Sequence, residues 1–255
     1  MAEVILIASG KGGTGKTTVT AALACALADE GRRVAAVDCD FGLRNLDIAL
    51  GLAEQVVFDV GDVLSGRVET ERALLRHPEF RGLALLPSTA AAEPFDPARF
   101  DALMDELSLG FDYVLLDAPA GIGSGLRAIA PAAERAFLVT TPDTPCLRDS
   151  AAAADVLAEA RVSDVRLILN RVDRRRLKRK TSWSVDAAMD ELGLRLFGLV
   201  REDPAVSDAF SANPADADRL PCGGGRGGDR RPSLREARQQ RQMGRVLLTN
   251  FGRAS

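Results

Sequence analysis

The sequence predicts an α/β fold, a mostly parallel sheet with helices on both faces in a three-layer αβα arrangement. Three observations predict it: short apolar runs suited to strands covered on both sides recur along the chain, helix-length segments separate them, and a glycine-rich turn joins the first run to the first helix. Val4-Ile5-Leu6-Ile7-Ala8 is the first such run, and residues 17–30 follow it with apolar side chains at Val19, Leu23, Ala26 and Leu27, a helical spacing. Residues 33–38 read as the second strand and residues 83–87 as the third. Further apolar runs at 112–117, 135–139, 165–169 and 196–200 alternate with helix-like segments at 96–107, 149–160 and 185–192. Alternation of this kind implies right-handed crossovers onto a parallel sheet. Ligands of such sheets collect at the C-terminal ends of the strands, and Lys16, Asp40, Asp117 and Asn170 all lie at or just beyond those ends.

Composition narrows the class. With 255 residues, 46% hydrophobic and 27% charged, the chain can bury one large core. A formal net charge of -3 gives no global reason to expect a nucleic-acid partner. Cys25, Cys39, Cys146 and Cys222 are scattered, with no pair or histidine spaced for zinc, which fits a reducing compartment. The N-terminus enters a strand at once and no run approaches transmembrane length, so a cytoplasmic location is expected. The single histidine, His77, lies in the polar stretch Arg76-His77-Pro78-Glu79 and reads as a solvated loop residue.

The turn after the first strand carries the chemistry. Gly10-Lys11-Gly12-Gly13-Thr14-Gly15-Lys16-Thr17 fills every position of the phosphate-loop pattern G-x-x-x-x-G-K-[ST], followed by Thr18. Its glycines let successive backbone N–H groups converge on one anion, and the helix that follows adds its positive end. Lys16 can reach the β- and γ-phosphates of a nucleoside triphosphate, and the Thr17 hydroxyl can ligate Mg2+. Asp40 and Asp117, each closing a strand, supply what the loop lacks: an acid to orient water at the γ-phosphate and an acid to hold the metal through its hydration shell.

The loop also carries an additional lysine, Lys11, at its second position. Lys11-Gly12-Gly13-Thr14-Gly15-Lys16-Thr17-Thr18 resembles the deviant phosphate loop of the MinD/ParA class of dimeric ATPases. Gly42-Leu43-Arg44-Asn45-Leu46-Asp47, Asp117-Ala118-Pro119-Ala120-Gly121-Ile122 and Leu147-Arg148-Asp149-Ser150 resemble the MinD family of cell-division site selectors within it, over roughly residues 1–210. The resemblance implies an Mg2+-dependent ATPase that forms an ATP-dependent homodimer, with Lys11 reaching the partner's nucleotide, Lys16 binding in its own subunit and Asp40 positioning water. It implies adenine contacts at Asn170 and at Glu202-Asp203-Pro204, division-inhibitor and regulator proteins of the Min type as partners, and a peripheral place at the inner face of the cell membrane. A flagellar-placement or chromosome-partitioning ATPase is the alternative, and a reductase of the nitrogenase iron-protein type, for which the cysteines are badly placed, a further one.

Residues 1–212 therefore read as one nucleotide-binding domain and 213–255 as an atypical tail. The tail contains Cys222-Gly223-Gly224-Gly225-Arg226-Gly227-Gly228, too glycine-rich and polar to pack, and reads as disordered. The abrupt change near Asn213 raises the hypothesis of a shifted reading frame. Met243, Val246, Leu247 and Phe251 fall near one helical face with interspersed arginines, a pattern that could serve as a membrane anchor, but Gly244, Thr249 and Asn250 weaken a helix there and the segment reads first as a frayed tail. A basic run from Arg171 to Lys180 reads as a solvated loop, with contact to anionic lipid or nucleic acid near the nucleotide edge as its functional alternative.

Overall fold

A computed structural model describes residues 1–89, 96–179, 182–202 and 244. Its eight strands form one sheet in the order β3-β4-β2-β5-β1-β6-β7-β8. They are β1 (Glu3–Ala8), β2 (Val34–Asp38), β3 (Leu75–Arg76), β4 (Leu83–Leu86), β5 (Tyr113–Asp117), β6 (Arg135–Thr140), β7 (Asp164–Val172) and β8 (Arg195–Arg201). All pairings are parallel except β3 with β4. The helices are α1 (Lys16–Asp29), α2 (Leu46–Ala49), α3 (Val60–Leu64), α4 (Thr70–Ala73), α5 (Pro97–Gly110), α6 (Ser124–Ile129), α7 (Thr144–Glu159), α8 (Arg174–Lys178) and α9 (Val185–Leu192).

Each apolar run becomes a strand because its side chains are needed on both faces. In β1, Val4, Leu6 and Ala8 enter one core with Phe100, Leu107, Leu126 and Ala153, while Ile5 and Ile7 enter another with Leu23, Leu27 and Leu46. The period of two along a strand thus feeds two cores at once. Phe137 and Phe197 stack in the second core with ring centroids 4.1 Å apart, tying β6 to β8.

Several features depart from the sequence reading. The helix expected from residue 149 begins at Thr144, because Asp143 caps it by accepting from the Cys146 N–H and Pro145 fits its first turn. The basic run is not wholly a loop: Asp173 accepts from the Arg175 N–H and starts α8. Gly244 is helical and buried. It sits so close to α1 that an added Cβ would lie 2.3 Å from the Ala26 Cβ and 2.4 Å from the Ala22 carbonyl oxygen. The small residues of α1 give glycine a seat there that local helix propensity does not register. The remainder of 203–255 lies outside the described residues, as does the proposed frame-shift boundary.

His77 is also not the solvated residue its neighbours suggest: it is only 3% exposed. Its Nδ1 accepts from the Glu79 and Phe80 N–H groups, which leaves Nε2 to donate to the Leu50 carbonyl at 3.2 Å. Burial pushes its pKa below the ordinary histidine value, so the unfolded chain binds the proton first as pH falls. Its contribution is therefore complete above about pH 6.5 and declines below it, steepening the loss of stability by at most about 1.4 kcal/mol per pH unit. Urea unfolding from about pH 8 to 5 should show a flatter pH dependence for His77→Gln than for the parent chain. Equal slopes would contradict the assignment.

Candidate functional site

Adjacent parallel strands bring the site together. Ile7 of β1 lies in register with Asp117 of β5, and Asp38 of β2 lies in register with the same aspartate. The chain then leaves β1 through the phosphate loop and enters α1 at Gly15, whose φ of 92° is a left-handed conformation that favours glycine. A Cβ there would meet the Asn170 Nδ2 at 2.2 Å. At Gly10 a Cβ would meet the Asp149 carbonyl oxygen at 2.1 Å, so the start of the loop rests on the backbone of α7. The Gly121 N–H donates to the Ser9 carbonyl, holding the loop after β5 alongside.

At the base of the loop, Lys16 Nζ lies 2.9 Å from Asp117 Oδ1, with side-chain exposures of 6% and 0%. The Thr20 hydroxyl donates to the same oxygen at 3.0 Å. Among the described residues neither Asp117 Oδ2 nor the Thr14 hydroxyl oxygen, both buried, has a hydrogen-bond partner. Unpaired buried oxygens are costly, so their presence here points to a ligand site. Thr17 lies beside them, its hydroxyl 3.5 Å from Lys16 Nζ, and Thr18 is half-buried in the same turn.

The second strand supplies a paired set of acids. Asp38 is fully buried and accepts from the backbone N–H groups of Asp40, Asn45 and Leu46, which folds residues 40–46 around it. Burial, with the nearby charge of Asp117, pushes its pKa up to about 7. Asp40 is half-buried at the edge of the site; burial raises its pKa, opposed by the charge of Lys16. The Ser88 hydroxyl donates to the Asp40 carbonyl and fixes the turn. Asp38 and Thr20 escaped the sequence reading. The strand-end position of Asp38 was a signal, since a carboxylate buried there must find N–H donors. Thr20, one helical turn past Thr17, gave none beyond its spacing.

Lys11, Gly12 and Gly13 are exposed at the tip of the loop, and Lys11 makes no ion pair with a described residue. Asn170 is buried, donating from Nδ2 to the Thr14 carbonyl at 2.7 Å while Oδ1 accepts from the Arg171 N–H at 2.9 Å. The Oδ1 contact fixes the side chain on its own strand, and Nδ2 braces the loop. Asn170→Ala should leave the Thr14 carbonyl without its donor and cost about 1–3 kcal/mol of stability. It should also weaken ATP and GTP binding alike; a change confined to the ATP/GTP ratio would instead mark a base-reading residue. Glu202 follows β8, exposed, and lines a pocket of about 210 Å3 with Thr141, Asp143, Arg171 and Asp173. Asp203 and Pro204 lie outside the described residues.

A loop that presents backbone donors and a lysine to an anion, over a buried carboxylate and beside a threonine hydroxyl, defines a nucleotide-binding class. Residues 5–214 match the family described as "CobQ/CobB/MinD/ParA nucleotide binding domain". The septum site-determining protein MinD of Thermotoga maritima is 39% identical over 211 residues, 81% of this chain and 78% of the relative. That of Bacillus subtilis is 37% identical over 213 residues, 82% and 80% of the two chains. A MinC:MinD cell division protein complex from Aquifex aeolicus has a chain that superposes with a TM-score of 0.80 at 32% identity, covering 97% of this chain and 96% of that one. MinD from Pyrococcus horikoshii, complexed with Mg-ADP, gives 0.75 at 31% identity and covers 96% and 95%. The chain belongs to the MinD family. A ParA family ATPase from Chlorobium tepidum, 22% identical with a TM-score of 0.71, shares the fold.

Proposed function

We propose that this chain is a magnesium-dependent ATPase of division-site placement, a switch that pairs with a second copy when ATP is bound and separates after hydrolysis. The observation that carries the reading is the buried Lys16–Asp117–Thr20 cluster beneath the glycine loop, with one carboxylate oxygen unpartnered. The MinD relatives and the Mg-ADP complex of the Pyrococcus protein support ATP as the nucleotide and Mg2+ as its cofactor.

The residues present suit the metal. Asp117 Oδ2 offers an uncommitted carboxylate oxygen and the Thr17 hydroxyl a neutral oxygen, a donor set for a hard dication, with Asp40 at the rim. When bound, Mg2+ would neutralise charge developing on the β- and γ-phosphate oxygens. The chain's own groups do the rest. Backbone N–H groups of residues 10–17 cradle the phosphates, and Lys16 supplies a compact positive charge. Asp40, on a turn fixed by Asp38 and Ser88, orients the attacking water. Lys11, exposed at the loop tip, stabilises the partner's transferring phosphoryl group, so hydrolysis waits for pairing.

Min-type partner proteins are supported by the Aquifex complex of MinC with MinD. Among the described residues no helix is long and apolar enough to cross a membrane; membrane attachment in this reading is peripheral. Size-exclusion chromatography with ADP against a non-hydrolysable ATP analogue tests the switch, and sedimentation with anionic liposomes tests the attachment. A chain that stays monomeric with saturating Mg2+ and analogue overturns the reading.

A further inference from the structure

The geometry points to α8 as an electrostatic contact for anionic lipid headgroups, a second membrane element separate from the C-terminal tail. This rests on the peripheral-membrane reading above and gives that reading a surface. Residues 171–180 hold seven cations and one acid in a chain of net charge -3, so this segment is a local basic patch on a chain whose overall charge is negative.

The helix is built to present its charge. Leu177 packs against the cluster of Leu147, Leu167, Val172 and Leu192, which fixes the inward direction. At about 100° per residue, Arg175 and Arg179 then point almost directly outward, and Arg176 and Lys178 lie on either flank. All four are exposed. Trp183 secures the far side of the segment, its indole N–H donating to the Thr144 hydroxyl at 3.0 Å. Arg171 and Arg176 share their pocket with Asp143, Asp173 and Glu202. Arg175, Lys178 and Arg179 make no ion pair with a described residue, and they form the contact set.

A flat array of headgroups fits this surface better than a nucleic acid does. The helix is only five residues long, about 7.5 Å, too short to follow a groove, and among the described residues the aromatic beside it, Trp183, is packed against the cluster instead of offering a face for stacking. Long, flexible cations on a convex turn can instead reach several headgroups at once. One such patch binds weakly. Pairing of two copies joins two patches, and the second then engages at high effective concentration.

The test compares the full chain with Arg175→Gln/Lys178→Gln/Arg179→Gln, three residues outside the nucleotide machinery. Each is sedimented with vesicles of equal parts phosphatidylglycerol and phosphatidylcholine, or of phosphatidylcholine alone, in ADP and in the ATP analogue, and by anisotropy with duplex DNA. The expected result is binding to the anionic vesicles alone, stronger with the analogue, weakened by salt, and reduced on the order of 100-fold by the triple change. Intact ATP-dependent pairing in the triple variant shows that the fold survives. If the variant binds the vesicles as the parent does, the α8 contact is wrong while the membrane reading stands; if the parent binds no vesicle in either nucleotide, both fall. If the parent prefers DNA and the triple change removes that preference, the patch belongs to nucleic acid and the lipid assignment is overturned.

Discussion

Lys16→Ala is expected to abolish nucleotide binding, with affinity for both ADP and ATP falling on the order of 100-fold or more. The residue serves two purposes that the substitution removes together. Towards the ligand it is the positive charge at the base of the loop. Towards the protein it is the countercharge of Asp117, 2.9 Å away and nearly sealed from water. Removing one member of a buried ion pair leaves the other charge uncompensated, at a cost of about 3–5 kcal/mol. The two losses separate in a double variant. Lys16→Ala/Asp117→Ala removes both charges, so stability should recover most of what Lys16→Ala alone loses while binding stays absent. Urea unfolding gives the stability and isothermal titration with nucleotide the binding. A Lys16→Ala chain that binds ADP within about threefold of the parent would overturn the site, since an electrostatic anchor of this kind cannot be lost so cheaply.

What the sequence made legible follows from how locally each feature is determined. The phosphate loop was readable because contiguous residues of fixed type make it, and the strands because side chains alternating between two cores leave almost no polar position in them. Asp117 was readable as a strand-end acid. Its partnership with Lys16 was not, since it depends on β1 and β5 lying side by side in a register set by the whole sheet. His77 was misread for the converse reason: its neighbours are polar, but the short antiparallel strand before it carries it under Leu50. The early start of α7 was hidden by Pro142 and Pro145, which suggest a loop until Asp143 is seen to cap the turn. Asp40 was readable as an acid closing the second strand, and the structure gives it and Asp38 different tasks. Asp38 spends both oxygens on backbone N–H groups, and Asp40 remains at the rim with its carboxylate available.

Lys11→Ala is expected to keep nucleotide affinity within a few-fold of the parent and to lower ATP turnover by about 10³-fold or more, the size of effect seen when a cation supplied in trans is lost. The contrast with Lys16 follows from position, since Lys16 is 5% exposed at the base of the loop and Lys11 stands exposed at its tip. Asp40→Ala should bind ATP and hold the paired state, because the water is no longer oriented. A mixture of these two inactive chains then tests whether the lysine crosses between subunits. In a mixed dimer, the pocket of the Lys11→Ala subunit keeps its own Asp40 and receives the intact Lys11 of the Asp40→Ala subunit, so one of its two sites is complete. Half of the dimers in an equal mixture are mixed, which restores about a quarter of parental turnover. If Lys11 acts within its own subunit, each pocket in the mixed dimer lacks one of the two groups and nothing is restored. Silence from a mixture shown by chromatography to contain mixed dimers would therefore refute the transfer of charge between subunits while leaving the binding role of Lys16 untouched.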